Sequence, residues 1–164
     1  MSNIEIRDVT ADDFSQICAL NLSEVAHTSP MDEARLCTLA NFAGHHRVAC
    51  LEGRVIAFLL AMNSEAAYEN DNFSWFSGRY SSFIYVDRIV VSSDFQGARL
   101  GSRLYKDLFG FAKAQGIPLV TCEYNITPPN EPSRRFHDSF GFKEYGRQWV
   151  ADNTKHVSLQ AAET

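Results

Sequence analysis

Apolar positions recur along this chain in two periods, and each change of period marks an element. Ile4, Ile6 and Val9 predict a short opening strand. Thr10 follows as a helix cap, with Asp13 in the capping-box position. Phe14, Ile17, Cys18, Leu22 and Val25 form the buried stripe expected of that helix. Ser29-Pro30-Met31-Asp32 is a second start signal, with a cap, a proline and an acid in the first turn. Leu36, Leu39, Ala40 and Ala43 share one face of the second helix, which Gly44 is expected to end.

Residues 46–51 and 54–62 read as two strands, joined by the hairpin signal Glu52-Gly53. The second is apolar from Val55 to Leu60, the pattern of a strand buried on both faces. Residues 63–81 show little periodicity and carry Tyr68, Phe73, Trp75, Phe76 and Tyr80. A connection this long and aromatic is expected either to fold over the core as a lid or to form a substrate-binding wall.

The central stretch runs from Tyr85 to Phe111. By two-residue alternation Phe83, Tyr85, Asp87 and Ile89 would share one face of its strand. The β-branched run Ile89-Val90-Val91 stops at Ser92-Ser93, and a loop, Phe95-Gln96-Gly97-Ala98-Arg99-Leu100-Gly101, follows. Leu100, Leu104, Leu108 and Phe111 then recur at helical spacing. Strand, glycine-containing loop and helix together aim unpaired backbone N–H groups and a positive helix end at one point, a place suited to phosphate. No Gly-Lys-Ser/Thr closes the loop, and its glycines do not form a dinucleotide fingerprint. Gly116-Ile117-Pro118 closes the helix, and residues 119–125 form a strand. After the rigid loop Thr127-Pro128-Pro129, Asn130 caps a short helix over 132–140 that Gly141 ends. Residues 143–150 and 156–160 read as a closing hairpin. The order β-α-α-β-β-β-α-β-α-β-β is that of one mixed α/β domain, taken over residues 1–164.

Composition narrows the function classes. A net charge of −5 offers no basic footprint for nucleic acid. No apolar run approaches about 20 residues, so no membrane partner is expected. The opening MSNIEIRDVTADD lacks the basic and apolar segments of a secretory signal. Cys18, Cys37, Cys50 and Cys122 form no CxxC pair and read as reduced thiols of a cytoplasmic protein. No cluster has metal-ligand spacing; His45 and His46 would point to opposite faces of a strand.

Two segments resemble the signatures of the GNAT N-acetyltransferase superfamily. The first is its pyrophosphate loop, Gln/Arg-x-x-Gly-x-Gly/Ala: Gln96 and Gly101 match, and Arg99 replaces the middle glycine. The second is a loop asparagine followed by Ala-x-x-Phe-Tyr-x-x-x-Gly-Phe. Asn130, Phe136, Gly141 and Phe142 match in register, Ser133 stands for the alanine, and His137 stands where many members have tyrosine. The chain is also similar to a bacterial subgroup with a PPN…FH…GF pattern.

The resemblance implies a central mixed, mostly antiparallel sheet with splayed central strands flanked by helices. It implies acetyl-CoA as cosubstrate and no metal. Ile89, Val90 and Val91 would offer backbone groups to the pantetheine amides, and Gln96, Gly97, Ala98, Arg99, Leu100, Gly101 and Ser102 would hold the pyrophosphate. Asn130 would bond the pantetheine arm, and Ser133 would leave room beside it. Arg99 is expected to sit there without strain, because many such loops need only helix-like angles. His137 would sit at the cofactor and donate a proton to the leaving thiolate. The base is open between Asp87 and Glu123, with Asp87 first. Trp75, Phe76, Tyr85 and Glu123 would contact the acceptor, a small-molecule or amino-acid primary amine entering between the helix pair and segment 63–81. Protein and peptide amines, a non-catalytic CoA-binding module and, more distantly, another nucleotide-binding fold are the alternatives. The closing strands leave a homodimer open.

Overall fold

A computed structural model describes residues 3–24, 28–127 and 129–164. Seven strands form one sheet: β1 (Ile4–Asp8), β2 (Ala43–Leu51), β3 (Arg54–Asn63), β4 (Ile84–Val91), β5 (Leu119–Thr127), β6 (Lys143–Val150) and β7 (Lys155–Glu163). Their spatial order is β1-β2-β3-β4-β5-β7-β6. Every pairing is antiparallel except β4 with β5. The helices are α1 (Phe14–Ser23), α2 (Glu33–Phe42), α3 (Asp71–Ser77), α4 (Leu100–Ala114) and α5 (Glu131–Asp138). α1, α2 and α3 pack on one face of the sheet, while α4 and Phe136 of α5 pack on the other. The buried strand β3 divides its side chains between the two: Phe58, Leu60 and Met62 meet the first layer, Ile56, Leu59 and Ala61 the second.

Local chemistry accounts for most boundaries. Thr10 and Asp13 form the expected capping box, and Asp13 also takes two bonds of 2.8 Å from Arg7. The Glu52-Gly53 turn has φ of 51° and 80°, both positive as a type I′ hairpin requires. Gly116 and Gly141 close α4 and α5 at φ of 71° and 82°. The cap of α2 is Asp32, whose side chain accepts from the Arg35 N–H at 2.7 Å, so the proline precedes that helix rather than opening it. Gly44 does not end α2; it lies within β2, where a Cβ would come within 2.4 Å of the Asn63 side chain. In α1 the stripe is rotated from the expected one: Leu22 is 68% exposed and Asn21 is fully buried. Asn21 donates to the Ser29 carbonyl (2.8 Å) and accepts from Arg88 (3.3 Å), which satisfies its polar atoms in the core. Val25 lies outside the described residues.

Two departures in the middle of the sheet make the site. Leu60 pairs with Arg88 and Ala61 with Val86, so Asp87 is an extra residue bulged out of β4. The bulge flips the alternation: Tyr85 packs toward the α1 side, whereas Ile89 packs toward α4. The expected single face from Phe83 to Ile89 is therefore broken at Asp87. Beyond it, β4 and β5 diverge, their registered pairing being confined to Ile84–Val120 and Tyr85–Thr121.

Candidate functional site

Between the diverging strands lies a cleft of about 500 Å³. One wall is Tyr85 to Ile89 of β4, and the other is Cys122 to Asn125 of β5. Asn130, Ser133 and His137 line it on the α5 side, and Asn70 to Asn72 line it on the α3 side.

Glu123 is the group this arrangement perturbs most usefully. It is half-buried in the cleft wall and accepts a hydrogen bond of 2.7 Å from the Tyr85 hydroxyl. Burial pushes its carboxyl up from 4.5 to about 7; bonds from Tyr85 and Asn72 pull it back, and the charge of Asp87 adds to the rise. Such a carboxylate exchanges a proton near neutral pH. Asp87 is held differently: one oxygen accepts from Tyr68 and the other from Arg88 Nε at 2.8 Å. Arg88 itself is fixed by the Ser29 carbonyl at 3.0 Å. Both carboxylate oxygens of Asp87 are thus already engaged within the protein.

His137 is buried and committed on both ring nitrogens. Nδ1 lies 2.6 Å from the Ser133 carbonyl, which can only accept, so Nδ1 carries the proton. Nε2 then accepts from the Tyr105 hydroxyl at 2.7 Å. Burial pushes the imidazole below its usual 6.5, so it is neutral at pH 7. In that state it has no proton free for the cleft. Tyr124 also lines the cleft, and its hydroxyl accepts from Gln160 Nε2 at 3.1 Å, a bond that does not use its own hydrogen. Burial holds the Cys122 thiol well above 9.0, and hence protonated.

The loop ahead of α4 forms the second part of the site. Gly97 has φ of 89° with open space where a Cβ would stand. The first intrahelical bond of α4 runs from Arg103 N to Arg99 O (3.0 Å), which leaves the amides of Leu100, Gly101 and Ser102 ahead of the ladder. Gly101 lets α5 approach, since a Cβ there would meet Phe136 at 3.2 Å. Arg99 sits in the left-handed region at φ 57°, ψ 33°. The expectation of helix-like angles is thus overturned: the position keeps the conformation a glycine would take freely, and arginine carries the strain.

Segment 63–81 is folded and carries a short helix, α3, where a long connection of little periodicity is expected. Asn70 caps α3 by accepting from the N–H groups of Asn72 and Phe73, both at 3.0 Å. Phe76 is fully buried in the core and Trp75 lies over Gly146, so neither expected acceptor contact lines the cleft. What the segment contributes there is Tyr68, Asn70, Asp71 and Asn72. A run of Asn-Asp-Asn followed by aromatics three apart was a readable cap and stripe.

A broader groove of about 900 Å³ lies at the β1–β2 edge, where Asp8, His45, Arg47 and Asp107 are tied to one another. His45 and Arg47 both bond Asp107 (2.8 and 3.1 Å), and Arg47 reaches Asp8 at 2.9 Å. Among the described residues no three His, Cys, Asp or Glu side chains could hold a metal ion, and no helix is long and apolar enough to cross a membrane.

Comparison with known proteins agrees with this geometry. The sequence profile of the acetyltransferase (GNAT) family matches residues 5–142. No curated protein matches the chain in sequence. Among solved structures, Ard1 from Thermoplasma volcanium superposes with a TM-score of 0.79 at 15% identity, covering 98% of this chain and 97% of that one. An N-acetyltransferase from Staphylococcus aureus Mu50 gives 0.74 at 20% identity, with 99% of each chain covered. The structure of yncA from Salmonella typhimurium, with its cofactor acetyl-CoA, gives 0.72 at 19% identity over 99% and 94% of the two chains. At these identities the likeness is one of fold. With the profile spanning most of its length and the β4–β5 cleft in place, the chain belongs to the acetyltransferase (GNAT) family and is an acyl-CoA-dependent N-acetyltransferase.

Proposed function

We propose that this protein acetylates the primary amine of a small molecule or amino acid, with acetyl-CoA and acceptor bound together. The observation that carries the proposal is Glu123, a carboxyl with a pKa raised to about 7 in the wall of the β4–β5 cleft. Its Oε atoms are the site to which an incoming ammonium would release a proton.

The residues present fit acetyl-CoA. The amides from Leu100 to Ser102 and the helix end of α4 suit the pyrophosphate. The freed edge of β4 at Ile89, Val90 and Val91 suits the pantetheine amides. Asn130 spends Oδ1 on the Ser133 N–H (3.3 Å) and keeps its amide hydrogens for a ligand. When bound, the cosubstrate supplies an activated thioester. The chain's own part is to hold a proton acceptor at Glu123 and a proton donor at Tyr124 Oη, with the β5 backbone between them. His137 fixes Tyr105 and the start of α5 instead of donating.

The acceptor side of the cleft is polar, with Arg35, Asn70, Asp71 and Lys155 around it. This lining supports a small polar amine over an apolar one. The test is thiol release from acetyl-CoA against a panel of polyamines, amino acids, aromatic amines and peptides. Turnover with a small amine and little with peptides is expected. Turnover confined to peptides or proteins would overturn the acceptor class, and tight CoA binding without turnover on any amine would favour a non-catalytic module.

A further inference from the structure

We infer that Asn72 and Gln148 are positioning residues for the Glu123 carboxylate, and that α3 is an arm clamped to β6 to keep them in place. The inference rests on the reading of Glu123 as the base. It begins with a question of packing. α3 is a seven-residue helix outside the sheet, too short to be stable by itself. Phe73 and Phe76 anchor it from below, in contact with Phe83 and Tyr85 of β4.

Its lateral position is set by β6. Trp75 lies directly on the backbone of Gly146: a Cβ there would stand 2.3 Å from Trp75 Cζ2. One turn earlier in α3, and two residues further along β6, Gln148 Nε2 donates to Asn72 Oδ1 (2.8 Å) and to the Asp71 carbonyl (3.1 Å). Both amide hydrogens of Gln148 are thereby used on α3.

That bond decides which end of Asn72 meets the base. With Oδ1 engaged by Gln148, Nδ2 is the end of Asn72 left for the cleft wall that it shares with Glu123, and it is the end that can stabilise the ionised carboxylate. A flipped Asn72 would set an oxygen against a carboxylate. Asn72 is itself buried, so its amide needs partners at both ends. The chain Gln148–Asn72–Glu123–Tyr85 thus links β6, α3, β5 and β4 through one carboxylate. Asp87 of β4 acts on Glu123 as well by its charge, while Tyr105 of α4 and Cys122 of β5 are groups that feel the charge of Glu123. Arg35, Arg88 and Lys155 stand around the cleft on α2, β4 and β7. None of these changes in a Gln148 variant.

The test compares wild type, Gln148→Met, Asn72→Leu and Glu123→Gln as full chains. Two readouts are needed: the ¹³C shift of the Glu123 carboxyl against pH in the free protein, and the acid limb of kcat/KM. Losing a donor to the ionised form raises a carboxyl's pKa. Both readouts are expected to move upward together in Gln148→Met and Asn72→Leu, by roughly half to one pH unit. Folding is checked in the same spectra, and Gly146→Ala, which displaces Trp75, should move the titration the same way. A Glu123 titration unmoved in both Gln148→Met and Asn72→Leu overturns the inference, even if Glu123→Gln is inactive. Full activity in Glu123→Gln overturns the base reading and with it the role of the clamp.

Discussion

Replacing Glu123 by glutamine should stabilise the fold above neutral pH while disabling the base. The carboxyl moves from 4.5 to about 7 on folding, mainly because burial disfavours its charge. At about 1.4 kcal/mol for each pH unit, ionising it in the folded state costs roughly 3 kcal/mol. Between those pH values the unfolded chain has released a proton that the folded chain retains. Stability therefore falls as pH rises through this window, and the cost is fully expressed above about pH 8. Glutamine keeps the shape, and its amide oxygen can accept from Tyr85 without carrying charge. Thermal unfolding of wild type and Glu123→Gln from pH 4 to 9 checks this. The two should melt together near pH 4.5, and the variant should lead by roughly 6–10 °C at pH 8. A gap that does not change with pH would mean that Glu123 titrates like an exposed carboxyl, and would refute the reasoning.

Arg99→Gly relieves a left-handed arginine; after the added freedom of the unfolded chain is set against it, a gain of about 0.5–1 kcal/mol is expected in urea unfolding. A loss would show that the arginine side chain makes contacts worth more than the strain. Tyr124→Phe should lower kcat by about 10² with CoA affinity kept, in steady-state assays. His137→Phe should keep kcat within a few-fold but cost about 1–3 kcal/mol in unfolding, because the Tyr105 hydroxyl loses its acceptor in the core. The opposite ranking of these two variants would return the donor role to His137.

Much of the fold is legible because its boundaries are set by neighbours in sequence. The Thr10–Asp13 box, the Glu52-Gly53 turn, the Asn130 cap and the glycines at 116 and 141 each need only a few residues to be recognised. What escaped depends on distant partners. The bulge at Asp87 follows from how β3 registers with β4, and nothing in the local alternation announces it. Asn21 and Leu22 exchange places because the Ser29 carbonyl and Arg88 offer Asn21 bonds inside the core. His137 reads as a proton donor until Tyr105, 32 residues away, takes up its second nitrogen. Glu123 was visible on its strand, but its elevation over Asp87 comes from burial and from the Arg88 pairing of its rival. Arg99 and α3 differ from these, since a substituted loop glycine and an Asn-led aromatic pair were both present in the sequence to be weighed.

The dependence of kcat/KM on pH, for acetyl transfer to the best amine of the panel, tests the account at its centre. In the wild type kcat/KM should rise with pH to a plateau through an apparent pKa near 7, the value to which burial raises Glu123. In Glu123→Gln it should fall by about 10² or more, and the limb near 7 should vanish. A Glu123→Gln enzyme that keeps both the rate and the limb would contradict the account, and would place the base elsewhere in the cleft.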